Sequence, residues 1–212
     1  LVAARKEGVQ YSIADRGDEL FILTNADGAI DFKVVTAPLA APERANWRDL
    51  IPYREGVYVL DVELYAGHMV RLERANALPA IIIRDLKTGE EHAIAFDEAA
   101  YSLDTMGSYE FETTNLRFSY SSMTTPSEVY DYDMAARTRV LRKRQEIPSG
   151  HNPADYVTTR IMAPSHDGAL VPVSILHRKD LVRDGSAPLL LYGYGSYGMA
   201  MPASFSANRL SL

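Results

Sequence analysis

One pattern governs what this chain can fold into. A strand-forming run, a tight turn and a second strand-forming run return at an almost constant interval. The runs beginning at Phe21, Met69 and Leu116 stand 48 and 47 residues apart. The first set is Phe21-Ile22-Leu23-Thr24, a turn at Asn25-Ala26-Asp27-Gly28, then Phe32 to Thr36. The second holds Gly56 to Leu60, His68 to Glu73 and Ala80 to Asp85, which turns through Lys87-Thr88-Gly89-Glu90 into His92 to Phe96. The third holds Leu116 to Ser121, Glu128 to Asp133 and Thr138 to Leu141. Period-two alternation, β-branched and aromatic residues and Gly/Asn/Asp turns all favour strands. Trp47 to Ile51 reads as a short turn. A four-stranded unit repeating every 40–50 residues is the mark of a β-propeller blade, and blades bury their faces on one another. A β-sandwich of short strands is the alternative this pattern leaves open.

The character changes near Pro148. Ser149-Gly150-His151-Asn152-Pro153 has linker composition. Beyond it, Tyr156 to Met162 and Leu170 to Leu176 flank a turn at Ser165-His166-Asp167-Gly168 and form a hairpin. After a polar loop, Pro188-Leu189-Leu190-Leu191-Tyr192 is a continuous apolar run. Such a run suits a strand buried on both faces of a parallel sheet. The expected division is therefore 1–147, the C-terminal blades of a propeller, and 148–212, the N-terminal part of an α/β domain. The chain starts without Met and reads as an internal piece of a longer protein.

Composition narrows the function classes. The net charge is -6, and basic residues are scattered except for the run Arg139-Val140-Leu141-Arg142-Lys143-Arg144, which reads as a solvated strand end. No basic face for nucleic acid is expected. There is no cysteine, hence no disulfide framework, thiol nucleophile or cysteine metal site. No apolar run is long enough to cross a membrane as a helix. The five histidines (His68, His92, His151, His166 and His177) are not paired at metal-ligand spacing. No metal and no cofactor is expected, and nothing in the sequence marks an oligomeric state.

The sharpest motif is Tyr192-Gly193-Tyr194-Gly195-Ser196-Tyr197-Gly198. Gly193, Gly195 and Gly198 formally satisfy the dinucleotide pattern G-x-G-x-x-G. Bulky tyrosines between the glycines, and Pro202 soon after, argue against a nucleotide there. Ser196 is no nucleophile elbow, because G-x-S-x-G would need glycine at position 194. No Ser-His-Asp triad is identifiable in the chain. A Tyr-Gly-Tyr-Gly turn after a buried strand can instead hold a phenol over a cleft. Acyl transfer needs two preorganised donors about 2.7–3.1 Å from the developing oxyanion. Packing of the tyrosines between domains is the other reading of these residues.

The stretch from Tyr156 to Gly198 resembles the entry of the peptidase domain in the prolyl oligopeptidase family of serine peptidases. The likeness is carried by Ser165-His166-Asp167-Gly168-Ala169-Leu170-Val171-Pro172-Val173 and by Pro188 to Gly195. Gly195-Ser196-Tyr197-Gly198, with Phe205 and Arg209-Leu210-Ser211-Leu212, is nearer to the oligopeptidase B branch. The preceding repeats resemble, more loosely, the last blades of the family's propeller.

The resemblance implies a mainly β chain, with late propeller blades followed by the start of an α/β-hydrolase peptidase domain. It implies a cytoplasmic enzyme that cleaves short peptides after Arg or Lys through an acyl-enzyme. Tyr194 matches the tyrosine that forms half of the family's oxyanion hole, and Tyr197 an aromatic position beside the substrate. The Ser, Asp and His of the family triad fall beyond residue 212, so the chain by itself is expected to be inactive. One departure concerns specificity. Where oligopeptidase B members carry two acidic residues that favour a second basic residue, this sequence has Pro202 and Ser204. A prolyl oligopeptidase, an acylaminoacyl-peptidase, an esterase and a non-enzymatic propeller that binds protein partners are the alternatives.

Overall fold

The computed structural model describes residues 1–211. Leu212, the last residue of the Arg209–Leu212 motif, lies outside the described residues. The chain divides into two compact units. The first comprises Leu1–Ala95, Thr105–Arg117 and Tyr132–Thr138, and the second comprises Phe96–Asp104, Phe118–Asp131 and Arg139–Leu212.

The repeat seen in the sequence is a repeat of four-stranded sheets. The first sheet runs β1 (Tyr11–Arg16), β2 (Glu19–Thr24), β3 (Lys33–Pro38) and β4 (Arg48–Ile51), each strand beside the next. The second runs β5 (Val57–Leu64), β6 (His68–Ala75), β7 (Leu78–Asp85) and β8 (Glu91–Ala93) in the same order. The third is β9 (Tyr101–Thr105), β10 (Asn115–Ser122), β11 (Glu128–Asp133) and β12 (Thr138–Arg144). Phe21, Met69 and Leu116 each fall on the second strand of their sheet. β1 and β9, each at the edge of its sheet, lie outside the runs read from the sequence.

The blade architecture shows in the burial of β2, where the five residues Leu20 to Thr24 are all buried. Successive side chains of a strand face opposite ways, so this strand is covered on both faces. Phe21 and Leu23 pack with Val34, Ile51, Val59 and Met69, which joins the first sheet to the second. Leu20 and Ile22 pack the other way, with Val35, Ala37 and the half-buried Trp47. Each such side chain contributes roughly 1.5–3 kcal/mol on leaving water.

The turns repeat as well. Asp85 accepts from the backbone of Lys87 and Thr88 at 2.8 and 2.7 Å, and Asp133 accepts from Ala135 and Ala136 at 2.9 and 2.8 Å. These turns join the third and fourth strands of their sheets and lie 48 positions apart. Gly89 and Arg137 close them in the left-handed region, with φ of 76° and 57°. An aspartate side chain imitates one turn of backbone in this way, which is why the motif tolerates different residues between its ends.

Two expectations change. Trp47 to Ile51 is not a turn, since Arg48–Ile51 forms β4 against β3. The register shifts by a bulge between Val34 and Val35, which brings Ile51 into the core at 6% exposure. The alternation there is too short to read before the partner strand is known. Pro188 to Tyr192 is not a buried strand. Leu189, Leu190, Leu191 and Tyr192 are 84%, 62%, 81% and 69% exposed. A parallel strand exists only through its neighbours' hydrogen bonds, and among the described residues no strand lies beside this run.

In the second unit the expected hairpin is present. β13 (Tyr156–Pro164) pairs antiparallel with β14 (Leu170–Arg178) from Tyr156↔Arg178 to Pro164↔Leu170. Asn152 caps the short turn of helix that leads into it, accepting from the Ala154 amide at 3.2 Å. Among the described residues no helix is long and apolar enough to cross a membrane.

Candidate active-site turn and an aromatic cavity

The motif singled out in the sequence forms a compact turn. The Met199 amide donates to the Ser196 carbonyl at 3.1 Å, closing a four-residue loop around Tyr197 and Gly198. Both central residues have positive φ, 58° and 70°. Glycine takes that conformation freely, whereas a tyrosine pays about 1–2 kcal/mol for it. Tyr197 is held in this conformation and 95% exposed, while Tyr194 is 49% exposed. Among the described residues neither phenol hydroxyl has a hydrogen-bond partner. An aromatic ring presented on a strained backbone is a feature that structures retain at sites of function. No helix follows Gly198 closely, so the phosphate-cradling geometry of a dinucleotide loop is missing among the described residues.

The Ser165-His166-Asp167 sequence is a hairpin turn, not a triad. Ser165 and Gly168 close it through a backbone bond of 3.0 Å, and Asp167 accepts from the Ala169 amide at 3.1 Å. That amide bond, with the Ser165 hydroxyl, holds the exposed Asp167 carboxyl below its ordinary range. The five histidines are not brought together, and no group of metal-ligating side chains is assembled among the described residues. His92 bonds the Tyr132 hydroxyl at 3.0 Å, and His151 lies within the second unit's aromatic contacts. Its Nε2 donates to the Thr124 carbonyl at 2.6 Å, and its ring stacks on Tyr156 and meets the edge of Phe205.

The second unit also holds a cavity that the sequence pattern did not indicate. Its volume is about 470 Å³, and Phe96, Glu98, Tyr120, Tyr130 and Arg139 are among its walls. Phe96 and Tyr120 stack with centroids 4.8 Å apart and planes at 9°. Glu98 lies in the loop before β9. Its carboxylate accepts from Ser122, Thr124 and Thr125 hydroxyls at 2.7, 2.8 and 3.2 Å, and from the Tyr120 phenol. Burial, then the bond to Glu98, raises the Tyr120 hydroxyl well above the usual phenol range. Tyr130 is pushed up to about 12 by burial and by its bond to Glu128. These residues span Phe96 to Arg139, from the loop before β9 and from β10, β11 and β12, and no spacing rule connects them.

Three four-stranded meanders of one period, with the second strand of the first two sheets buried on both faces, define blades of a β-propeller. The description "Prolyl oligopeptidase, N-terminal beta-propeller domain" matches residues 1–145. This chain therefore belongs to the prolyl oligopeptidase family. It is 42% identical over 214 residues to dipeptidyl aminopeptidase BI of Pseudoxanthomonas mexicana, covering all of this chain and 29% of that protein. Among solved structures it is similar to oligopeptidase B from Trypanosoma brucei with covalently bound antipain. The TM-score is 0.91 at 30% identity, over 99% of this chain and 31% of that one. It is also similar to oligopeptidase B from Leishmania major, with a TM-score of 0.88 at 29% identity, over 99% of this chain and 30% of that one. The chain thus spans less than a third of the length of these relatives.

Proposed function

We propose that this chain is the late propeller and the opening of the catalytic domain of a serine peptidase that acts on short peptides. The observation that carries the reading is the Tyr192–Gly198 turn, in a chain whose first 145 residues match the family's propeller. In this reading residues 148–212 begin an α/β-hydrolase domain, and the exposed Leu189–Tyr192 run is a strand that gains its neighbours from the rest of that domain. Tyr194 donates its hydroxyl to the oxyanion of the tetrahedral intermediate. Tyr197 flanks the substrate. The covalently bound antipain of the Trypanosoma brucei relative is in keeping with a nucleophile and an acyl-enzyme. A cytoplasmic location goes with this reading, and the 212 residues alone do not turn over peptide.

Cleavage follows Arg or Lys in the preferred form of the reading. With Pro202 and Ser204 at the positions where acids would favour a second basic residue, one basic residue suffices. A second reading concerns the end of the peptide. The 42% identity to a relative named dipeptidyl aminopeptidase BI favours release of dipeptides from a free amino terminus.

The deciding experiment uses the full-length protein and two fluorogenic peptides that end in the same arginine, one with a free and one with an acetylated amino terminus. Equal turnover supports an endopeptidase, and turnover of the free peptide alone supports a dipeptidyl peptidase. Cleavage after proline in preference to arginine would overturn the basic specificity. Tyr194→Phe is expected to lower kcat roughly 10- to 1000-fold, as loss of one oxyanion donor does. An unchanged kcat would remove Tyr194 from the chemistry.

A further inference from the structure

The stretch that carries the tyrosine turn has few fixed points. Residues 178–199 are all exposed, and a continuous half-buried stretch returns only at 203–206. Tyr197 keeps its left-handed backbone inside that exposed span, and such strain persists only where the surroundings over-determine it. Phe205, seven residues beyond Gly198, is where the chain is tied down.

The tie is made on the end of β10 and the loop after it, and all the residues involved belong to the second unit. Ser121 is 8% exposed and donates its hydroxyl to the Thr125 carbonyl at 3.0 Å. A hydroxyl that donates keeps its lone pairs for accepting, and the Phe205 amide donates to it at 3.0 Å. His151 holds the same loop through its Nε2 bond to the Thr124 carbonyl, and its ring meets the edge of Phe205 with centroids 4.8 Å apart. The loop is itself braced. The Ser122 hydroxyl accepts from the Thr124 and Thr125 amides at 3.0 and 2.8 Å. Glu98 gathers the hydroxyls of Ser122, Thr124 and Thr125 on one carboxylate oxygen.

We propose that Ser121, His151 and Phe205 are positioning residues. Their clasp joins the segment after the turn to the third sheet and sets where Tyr194 delivers its hydroxyl. The inference rests on the reading of Tyr194 as an oxyanion donor. Such a donor must sit about 2.7–3.1 Å from the oxyanion, and a misplacement of about 1 Å costs up to about a hundredfold in rate. None of the three is assigned contact with substrate; each acts through the backbone that leads back to the turn.

The test is a mutant cycle in the full-length protein, read with the two fluorogenic arginine peptides, together with hydrogen exchange of the Met199 amide, which closes the turn. Ser121→Ala and Phe205→Ala are each expected to lower kcat about tenfold in the parent, but less than about twofold in Tyr194→Phe, where the hydroxyl they misplace is already gone. Phe205→Tyr keeps the ring and should stay within about twofold of the parent. Exchange of the Met199 amide should accelerate about tenfold or more in both alanine variants. Should Phe205→Ala fail to fold, Ser121→Ala, which removes a single oxygen, decides. Equal losses of kcat in both backgrounds, or unchanged exchange, overturn the inference. If Tyr194→Phe by itself leaves kcat unchanged, the oxyanion reading fails and exchange alone judges the clasp. Faster exchange in a protein that cleaves neither peptide would sink the peptidase reading and leave the clasp standing. Cleavage with unchanged exchange would do the reverse.

Discussion

Arg71→Met isolates a buried charge network in the second sheet. Arg71 sits on β6 and is 1% exposed. Its Nε donates to Glu73 at 2.8 Å, and its two terminal nitrogens hold Glu91 in a fork at 2.8 and 3.0 Å. Removing one partner of a buried pair costs about 3–5 kcal/mol, because the other charge is left uncompensated. Here the low end applies. Glu73 keeps Arg54, and Glu91 keeps Arg84 at 3.0 Å and is 32% open to water. A loss of about 3 kcal/mol in the stability of this sheet corresponds to roughly a hundredfold in its opening equilibrium. The assay is hydrogen exchange of the β6 and β7 amides in the full-length protein, which reads local opening. Exchange in those strands should accelerate about a hundredfold. Adding Glu91→Gln should recover part of the loss by removing the stranded charge. Exchange within about threefold of the parent in Arg71→Met would refute the reasoning, since it would mean that Arg54 and Arg84 alone neutralise both acids.

The same network predicts an acid limit. The Arg71 hydrogen bond, opposed by burial, holds the Glu91 carboxyl below its ordinary value of 4.5. Its contribution is therefore complete above that value and is lost as the pH falls through the lower folded-state value; in Arg71→Met that acid-dependent loss should shrink, so that the exchange rates of β6 and β7 in parent and variant converge as the pH is lowered from about 5 to about 3. Ile22→Ala removes a side chain at 0% exposure from β2 and should cost about 2–5 kcal/mol, seen as faster exchange across the first sheet. Tyr197→Ala should raise KM several-fold with a smaller change in kcat, and an equal fall in kcat and kcat/KM would instead place Tyr197 in the transition state.

Much of the fold was legible because propeller blades are local. Each sheet is a meander of consecutive strands, so the recurrence of Phe21, Met69 and Leu116 at intervals of 48 and 47 residues exposes the architecture without any long-range information. The Asp85 and Asp133 turns repeat with it. β11 could be read because period-two alternation and turn residues mark its ends. β4 could not, since its place depends on a bulge in β3, and register is a property of two strands together. The Leu189–Tyr192 run shows the converse limit, for its apolar composition reads as a buried strand, yet among the described residues it is exposed and no strand lies beside it. The Tyr194–Tyr197 turn was visible as a motif, whereas the left-handed backbone of Tyr197 was not.

The sequence by itself determined the blade repeat, the hairpin of β13 and β14, and the tyrosine turn, because each is written in adjacent residues. Only the tertiary structure decided the cavity. Phe96, Glu98, Tyr120 and Tyr130 come from separate segments, and their meeting depends on how strands and loops are set side by side. The same holds for Arg71, whose burial among Glu73 and Glu91 follows from strand pairing that places Arg71 opposite Val62 and Ile82. Charge compensation is a matter of distances across the sheet, which the order of residues along one strand does not contain.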